Sequence, residues 1–146
     1  MRRKPIPSLG LIFIVLILAS PSSYSQSIEG RWTVDFDSTV SILSGNQLQK
    51  FQSFSDGLRY ELRQKVAEQF FDFGTDGRFL IGQGAASKQG SWSIDGDYLV
   101  LDEDNSSVEW RRELISVGST EIHLRLVDDS NSLAIFHEAI LVKSDN

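Results

Sequence analysis

The sequence predicts a mainly β fold, an eight-stranded antiparallel up-and-down barrel with a helical insert between its first two strands. Three observations predict it. Most of the chain alternates apolar and polar residues with period two, the mark of half-buried strands. Asp76-Gly77 and Asp95-Gly96 fall between such runs, where glycine takes the positive φ of a tight hairpin. Residues 38–67 break the rhythm with apolar side chains three or four apart, the spacing of a helix face. Hairpins in sequence make a meander, and eight strands closed on themselves leave no exposed edge. An open sheet or sandwich with the helix packed on it is the alternative.

The elements follow in order. Trp32, Val34 and Phe36 share a face of the first strand. In the insert, Leu48, Phe51, Phe54, Leu58, Leu62 and Val66 form one apolar stripe. Ser44 and Gln47 have capping-box spacing. Gly57 costs about 1 kcal/mol inside a helix. A bend or two short helices are therefore expected there, the second capped by Ser55, and a shorter helix starts at Ser38. Phe71 and Phe73 lie on the second strand, Phe79 and Ile81 on the third. "GQGAAS" at 82–87 reads as a flexible connection, and Trp92 and Ile94 lie on the fourth strand. In the fifth, Tyr98 and Val100 face one way and Leu99 and Leu101 the other. An acidic loop, "DEDNSS" at 102–107, leads to a sixth strand at 108–117 that holds Trp110. Ile122, Leu124 and Leu126 alternate on the seventh. "DDSNS" at 128–132 is the last turn, and the eighth strand runs over 133–142.

Residues 1–25 are expected to be a signal peptide outside the fold. Arg2, Arg3 and Lys4 precede an apolar run at 9–19 that is short for a bilayer span, and Ser23 and Ser25 suit a cleavage site. A retained membrane anchor is the alternative. The domain then spans 26–146, and the protein is expected to be exported, periplasmic or secreted, and monomeric. With no cysteine it relies on packing alone. Removing the three basic residues leaves 11 Lys+Arg against 20 Asp+Glu, a net charge of −9. Such a surface repels phosphate backbones and anionic lipid heads, so no nucleic acid and no stable membrane insertion are expected.

The chain carries no catalytic pattern. There is no cysteine nucleophile, no Gly-x-Ser-x-Gly turn and no histidine pair with metal spacing. Of the two histidines, His123 alternates outward and His137 inward, where a lone histidine reads as a satisfied core residue. Asp102, Glu103 and Asp104 lack the spacing and glycine of a calcium loop. Gly82-x-Gly84 lacks the third glycine and the helix of a phosphate cradle. The expectation is therefore no enzyme, no metal and no cofactor.

"GRWTVDFD" at 30–37, the helical insert, "FGTDGRF" at 73–79 and "GSWSIDGDYLVL" at 90–101 together resemble the bacterial lipocalin-like domain proteins of the calycin group. The resemblance covers nearly all of 26–146. It implies a barrel that binds a small hydrophobic molecule. It also implies that Gly30 and Trp32 form the closed-end signature, with an arginine from a late strand across the indole. Arg111, Arg112 and Arg125 are the candidates for that arginine. Two features depart from the lipocalin pattern: no room is expected after the eighth strand for the usual C-terminal helix, and the insert sits where fatty-acid-binding proteins carry a helical lid. The second Gly-x-Trp, Gly90-x-Trp92, reads as an ordinary strand with Trp92 and Ile94 pointing inward.

The residues expected to line the interior are Phe71, Phe73, Phe79, Ile81, Trp92, Tyr98, Trp110, Ile122 and Leu124, with Phe51, Phe54 and Leu58 of the insert above them. The alternative is that these rings fill the barrel, leaving a structural or protein-interaction module of the cell envelope with no small ligand.

Overall fold

The computed structural model describes residues 28–127 and 136–144. The expected signal peptide, the turn at 128–132 and the start of the eighth strand lie outside them. Eight strands close into one antiparallel barrel in sequence order: β1 (Gly30–Val34), β2 (Gln69–Phe73), β3 (Arg78–Gln83), β4 (Ala86–Asp95), β5 (Tyr98–Glu103), β6 (Glu109–Val117), β7 (Glu121–Leu126) and β8 (Glu138–Lys143). Three helices, α1 (Phe36–Ser41), α2 (Gly45–Gln52) and α3 (Asp56–Ala67), connect β1 to β2.

Phe36 does not continue β1. The Asp35 side chain accepts from the Ser38 amide at 3.0 Å and caps α1, so the helix begins two residues before the expected Ser38. Ser44 stands at the N-cap of α2 without a side-chain cap bond, whereas the Ser55 hydroxyl accepts from the Leu58 amide at 3.2 Å and starts α3. The break falls at 53–55, which leaves Gly57 in the first turn of α3. "GQGAAS" is largely strand. β3 and β4 pair through Gln83↔Ala86, and only Gly84 and Ala85 turn, with Gly84 at φ +56°. Asp76-Gly77 makes a turn as expected, with Gly77 at φ +77°; Asp95 still pairs with Tyr98, so the β4–β5 turn is Gly96-Asp97, with Gly96 at φ +60°.

The turns β2–β3, β4–β5 and β6–β7 lie at one end of the barrel, and the helical insert covers the other. Both Gly-x-Trp segments serve the first end. Trp32 is fully buried and its Nε1–H donates to the Ile28 carbonyl at 2.6 Å. Trp92 Nε1–H donates to the Gly74 carbonyl at 3.0 Å, and its ring meets Phe73 edge-on at 5.6 Å. With Ile28, Leu114, Ile122 and Leu141 these rings plug the barrel. At the other end Phe36, Phe51, Phe54 and Phe136 pack ring to ring with centroids about 6 Å apart, seating the helices over the mouth. Arg63 of α3 grips Asp37 of α1 with two hydrogen bonds and lies 4.7 Å over the Phe36 ring.

A side-chain hydroxyl helps close the cylinder. β1 pairs with β8 through Trp32↔Lys143, Thr33↔Val142 and Val34↔Leu141, and Asp35 N–H still reaches the Ile140 carbonyl at 2.8 Å. The chain then turns into α1, and the buried Thr39 Oγ1 accepts from the Ile140 amide at 3.0 Å. Thr39→Val keeps the shape but leaves that amide unpaired, which costs about 1–3 kcal/mol. Urea unfolding is expected to show a lowered midpoint with an unchanged slope, and Thr39→Ser is expected to keep most of the stability. An unchanged midpoint for Thr39→Val would show the hydrogen bond to be dispensable.

Candidate functional site

The plugged end leaves the helical half of the barrel open inside. A cavity of about 350 Å³ lies there. Its apolar wall comes from Val34 of β1, Phe71 of β2, Phe79 and Ile81 of β3, Leu99 and Leu101 of β5, Trp110 of β6, and Leu124 and Leu126 of β7. Val66 of α3 and Thr39 of α1 form its roof, with Phe136 beside them.

Five of the residues expected to line the interior border this space: Phe71, Phe79, Ile81, Trp110 and Leu124. Phe73, Trp92 and Ile122 also point inward, but into the packed plug below it. Tyr98 points outward and is 36% exposed, because Leu99 and Leu101 take the inner face of β5. Arg111 lies against the Tyr98 ring at 5.2 Å and pairs with Asp95. Phe51 and Phe54 belong to the aromatic cluster above the mouth and do not border the cavity. Leu58 is 40% exposed. It lies in the first turn of α3, and the helix turns only Leu62 and Val66 inward.

The cation over Trp32 is not one of the three arginines. The Lys143 ammonium lies 5.2 Å from the indole centroid, placed there by the Trp32↔Lys143 register. Gly30 has φ +110°, and a Cβ there would stand 3.1 Å from Lys143 Cε, so the glycine leaves room for the lysine stem. Arg125 binds Glu138 through Nε at 2.9 Å and Glu113 through Nη1 at 3.0 Å.

Polar groups enter the cavity wall at defined places. Lys88 pairs with Glu103 at 3.1 Å and covers the Trp110 ring at 4.5 Å. Glu138 meets His123 Nε2 at 2.6 Å as well as Arg125. Burial opposes the Glu138 charge, but the hydrogen bonds from Arg125 and His123 outweigh it and hold the carboxyl below its ordinary value. Gln69, His137 and Arg112 complete the polar lining. Sequence reasoning did not place Arg112 in the cavity. The signal was there, since Arg112 alternates with Trp110 and Leu114 on β6 and pairs with the inward Leu99.

Among the described residues no group of three or more His, Cys, Asp or Glu side chains could hold a metal ion, and no helix is long and apolar enough to cross a membrane. The cavity lining combines apolar enclosure with a few charged side chains. No protein-family model matches this chain, and no curated protein does. The chain is similar to the crystal structure of a DUF4847 family protein from Bacteroides vulgatus, with a TM-score of 0.49 and 12% sequence identity, over 81% of this chain and 94% of that one.

Proposed function

We propose that this protein is an exported, monomeric, non-enzymatic carrier of calycin type that takes one small lipophilic molecule into its barrel. The observation that supports the reading best is the cavity of about 350 Å³ between the aromatic plug and the helical roof. It falls within the range of about 300–1,000 Å³ usual for ligand pockets, and its wall is apolar with a few fixed polar groups. The basic head and short apolar run at 2–19 support export. Gly30-x-Trp32 at the closed end, with a cation over the indole, supports the calycin kinship, Lys143 standing in for the arginine. A closed barrel presents no free strand edge for pairing, which supports a monomer.

Native mass spectrometry of the protein, purified from its own envelope without organic solvent, tests this. An added mass that leaves on denaturation is the expected result, and it identifies the ligand class. A bare polypeptide mass that persists after incubation with mixed lipids would overturn the carrier and favour a protein-interaction module.

A further inference from the structure

A lysine amine condenses reversibly with a carbonyl carbon to form an imine. Of the lysines among the described residues, Lys50, Lys65, Lys88 and Lys143, only Lys88 borders the cavity. Lys88 alternates with Gly90 and Trp92 on the inner face of β4 and pairs with Ile81 of β3. It stands close to the β3–β4 turn, at the helical end of the barrel. Its Nζ donates to Glu103 Oε2 at 3.1 Å and lies 4.5 Å from the Trp110 ring centroid. The side chain is half exposed, so the amine stands at the rim of the cavity, within reach of the head of a molecule whose chain lies inside. Both contacts favour a cation at Nζ, the carboxylate by its charge and the indole face by its quadrupole. A protonated imine carries the same charge on the same nitrogen as the ammonium, so it keeps both contacts.

We propose that Lys88 captures lipophilic aldehydes as a protonated imine, with Glu103 as proton relay and counter-ion. This rests on the reading of the barrel as a carrier. Glu103 takes a proton from the Lys88 ammonium, and the freed amine attacks the aldehyde carbon. One N–H proton of the adduct passes to the former carbonyl oxygen, which gives a carbinolamine. Glu103 returns its proton to that hydroxyl. The hydroxyl leaves as water while the nitrogen lone pair closes the carbon–nitrogen double bond. Ammonium and aldehyde thus become iminium and water, with no change of charge and no oxidant or reductant. The alkyl chain lies on Phe71, Phe79, Ile81 and Leu101, and its burial holds the aldehyde beside the amine. Hydrolysis reverses the step and releases the cargo.

Reductive trapping of the delipidated protein with dodecanal and cyanoborohydride, followed by peptide mapping, tests the capture. Lys88 is expected to carry at least about tenfold more label than Lys50, Lys65 or Lys143, because the cavity holds the aldehyde beside that amine. Dodecanol shares the chain and forms no imine. It is expected to bind in a calorimetric titration and to suppress the label at Lys88. Glu103→Gln is expected to slow labelling of Lys88 about a hundredfold, the scale of a positioned acid–base group, while the label at Lys50 serves as internal control. Lys88→Arg keeps a cation beside Glu103 but has no amine to condense, and it is expected to carry label only at the other lysines. The wild-type map stands even if a variant fails to fold. Where dodecanol binds, label spread evenly over the lysines, or label at Lys88 that dodecanol does not suppress, would overturn the capture and leave the carrier intact. Undiminished label in Glu103→Gln would overturn the part given to Glu103. Even label together with no binding of dodecanol would overturn both capture and carrier.

Discussion

Trp32→Ala is expected to destabilise the barrel by about 3–5 kcal/mol, the cost of emptying a buried aromatic site. Trp32 is fully buried at the bottom of the plug and touches both β2 and β8 through its strand. Truncation removes the indole from among Ile28, Phe73 and Leu141, and it strips the Ile28 carbonyl of its 2.6 Å donor. The Lys143 ammonium also loses the ring face it covers at 5.2 Å. Melting is expected to fall by roughly 10 °C or more for a domain of this size. Trp32→Phe refills most of the volume and should lose less. Differential scanning calorimetry checks both, and a folded Trp32→Ala protein with unchanged melting would show the indole to be dispensable to the fold.

Gly90→Ala is expected to cost about 3 kcal/mol or more, at the upper end of what overpacking does. A Cβ at Gly90 would stand 2.0 Å from the Asp102 carbonyl oxygen and 2.7 Å from Phe79 Cε1. The first of these atoms is backbone of the paired strand β5 and cannot swing aside. The second belongs to a cavity wall, so relief there would push the Phe79 ring into the cavity. Gly96→Ala makes the comparison. Its Cβ meets nothing within 4 Å, so only the left-handed φ of +60° opposes it, at about 1–2 kcal/mol. Urea unfolding of the two variants should separate them clearly. Equal losses would mean that β4 and β5 part easily at Gly90.

The barrel was legible because period-two alternation and Asp-Gly turns are local signals with one physical cause each. Phe71, Phe79, Trp110 and Leu124 fall on the inner face by that rule and border the cavity. The pattern failed where it was ambiguous. Tyr98-Leu99-Val100-Leu101 is apolar at every position, so alternation alone cannot say which face is inner; the aliphatic pair took it. Phe36 obeys the strand rhythm, yet the Asp35 cap starts a helix there. Leu58 obeys the helical stripe, but the stripe crosses the interruption at 53–55 between α2 and α3. The cation over Trp32 depended on which strand closes onto β1, a long-range fact that no local spacing encodes. Arg112 is easily passed over for the opposite reason: a charged residue is expected outside, although it alternates with Trp110 and Leu114 on β6, and its register beside Leu99 and Leu126 places it inside.

The hydrogen bond between Thr39 and Ile140 joins residues 101 positions apart. Seven of the eight strand pairings join neighbours in sequence, while the β1–β8 seam joins the two ends of the barrel. Closing so long a loop costs about 2 kcal/mol more in chain entropy than closing a ten-residue hairpin. Folding should then proceed as a run of quick local hairpins followed by one slow circularisation, with the seam as its last and rate-setting contact. Weakening Thr39 would in that case speed opening of the ring more than it slows its assembly.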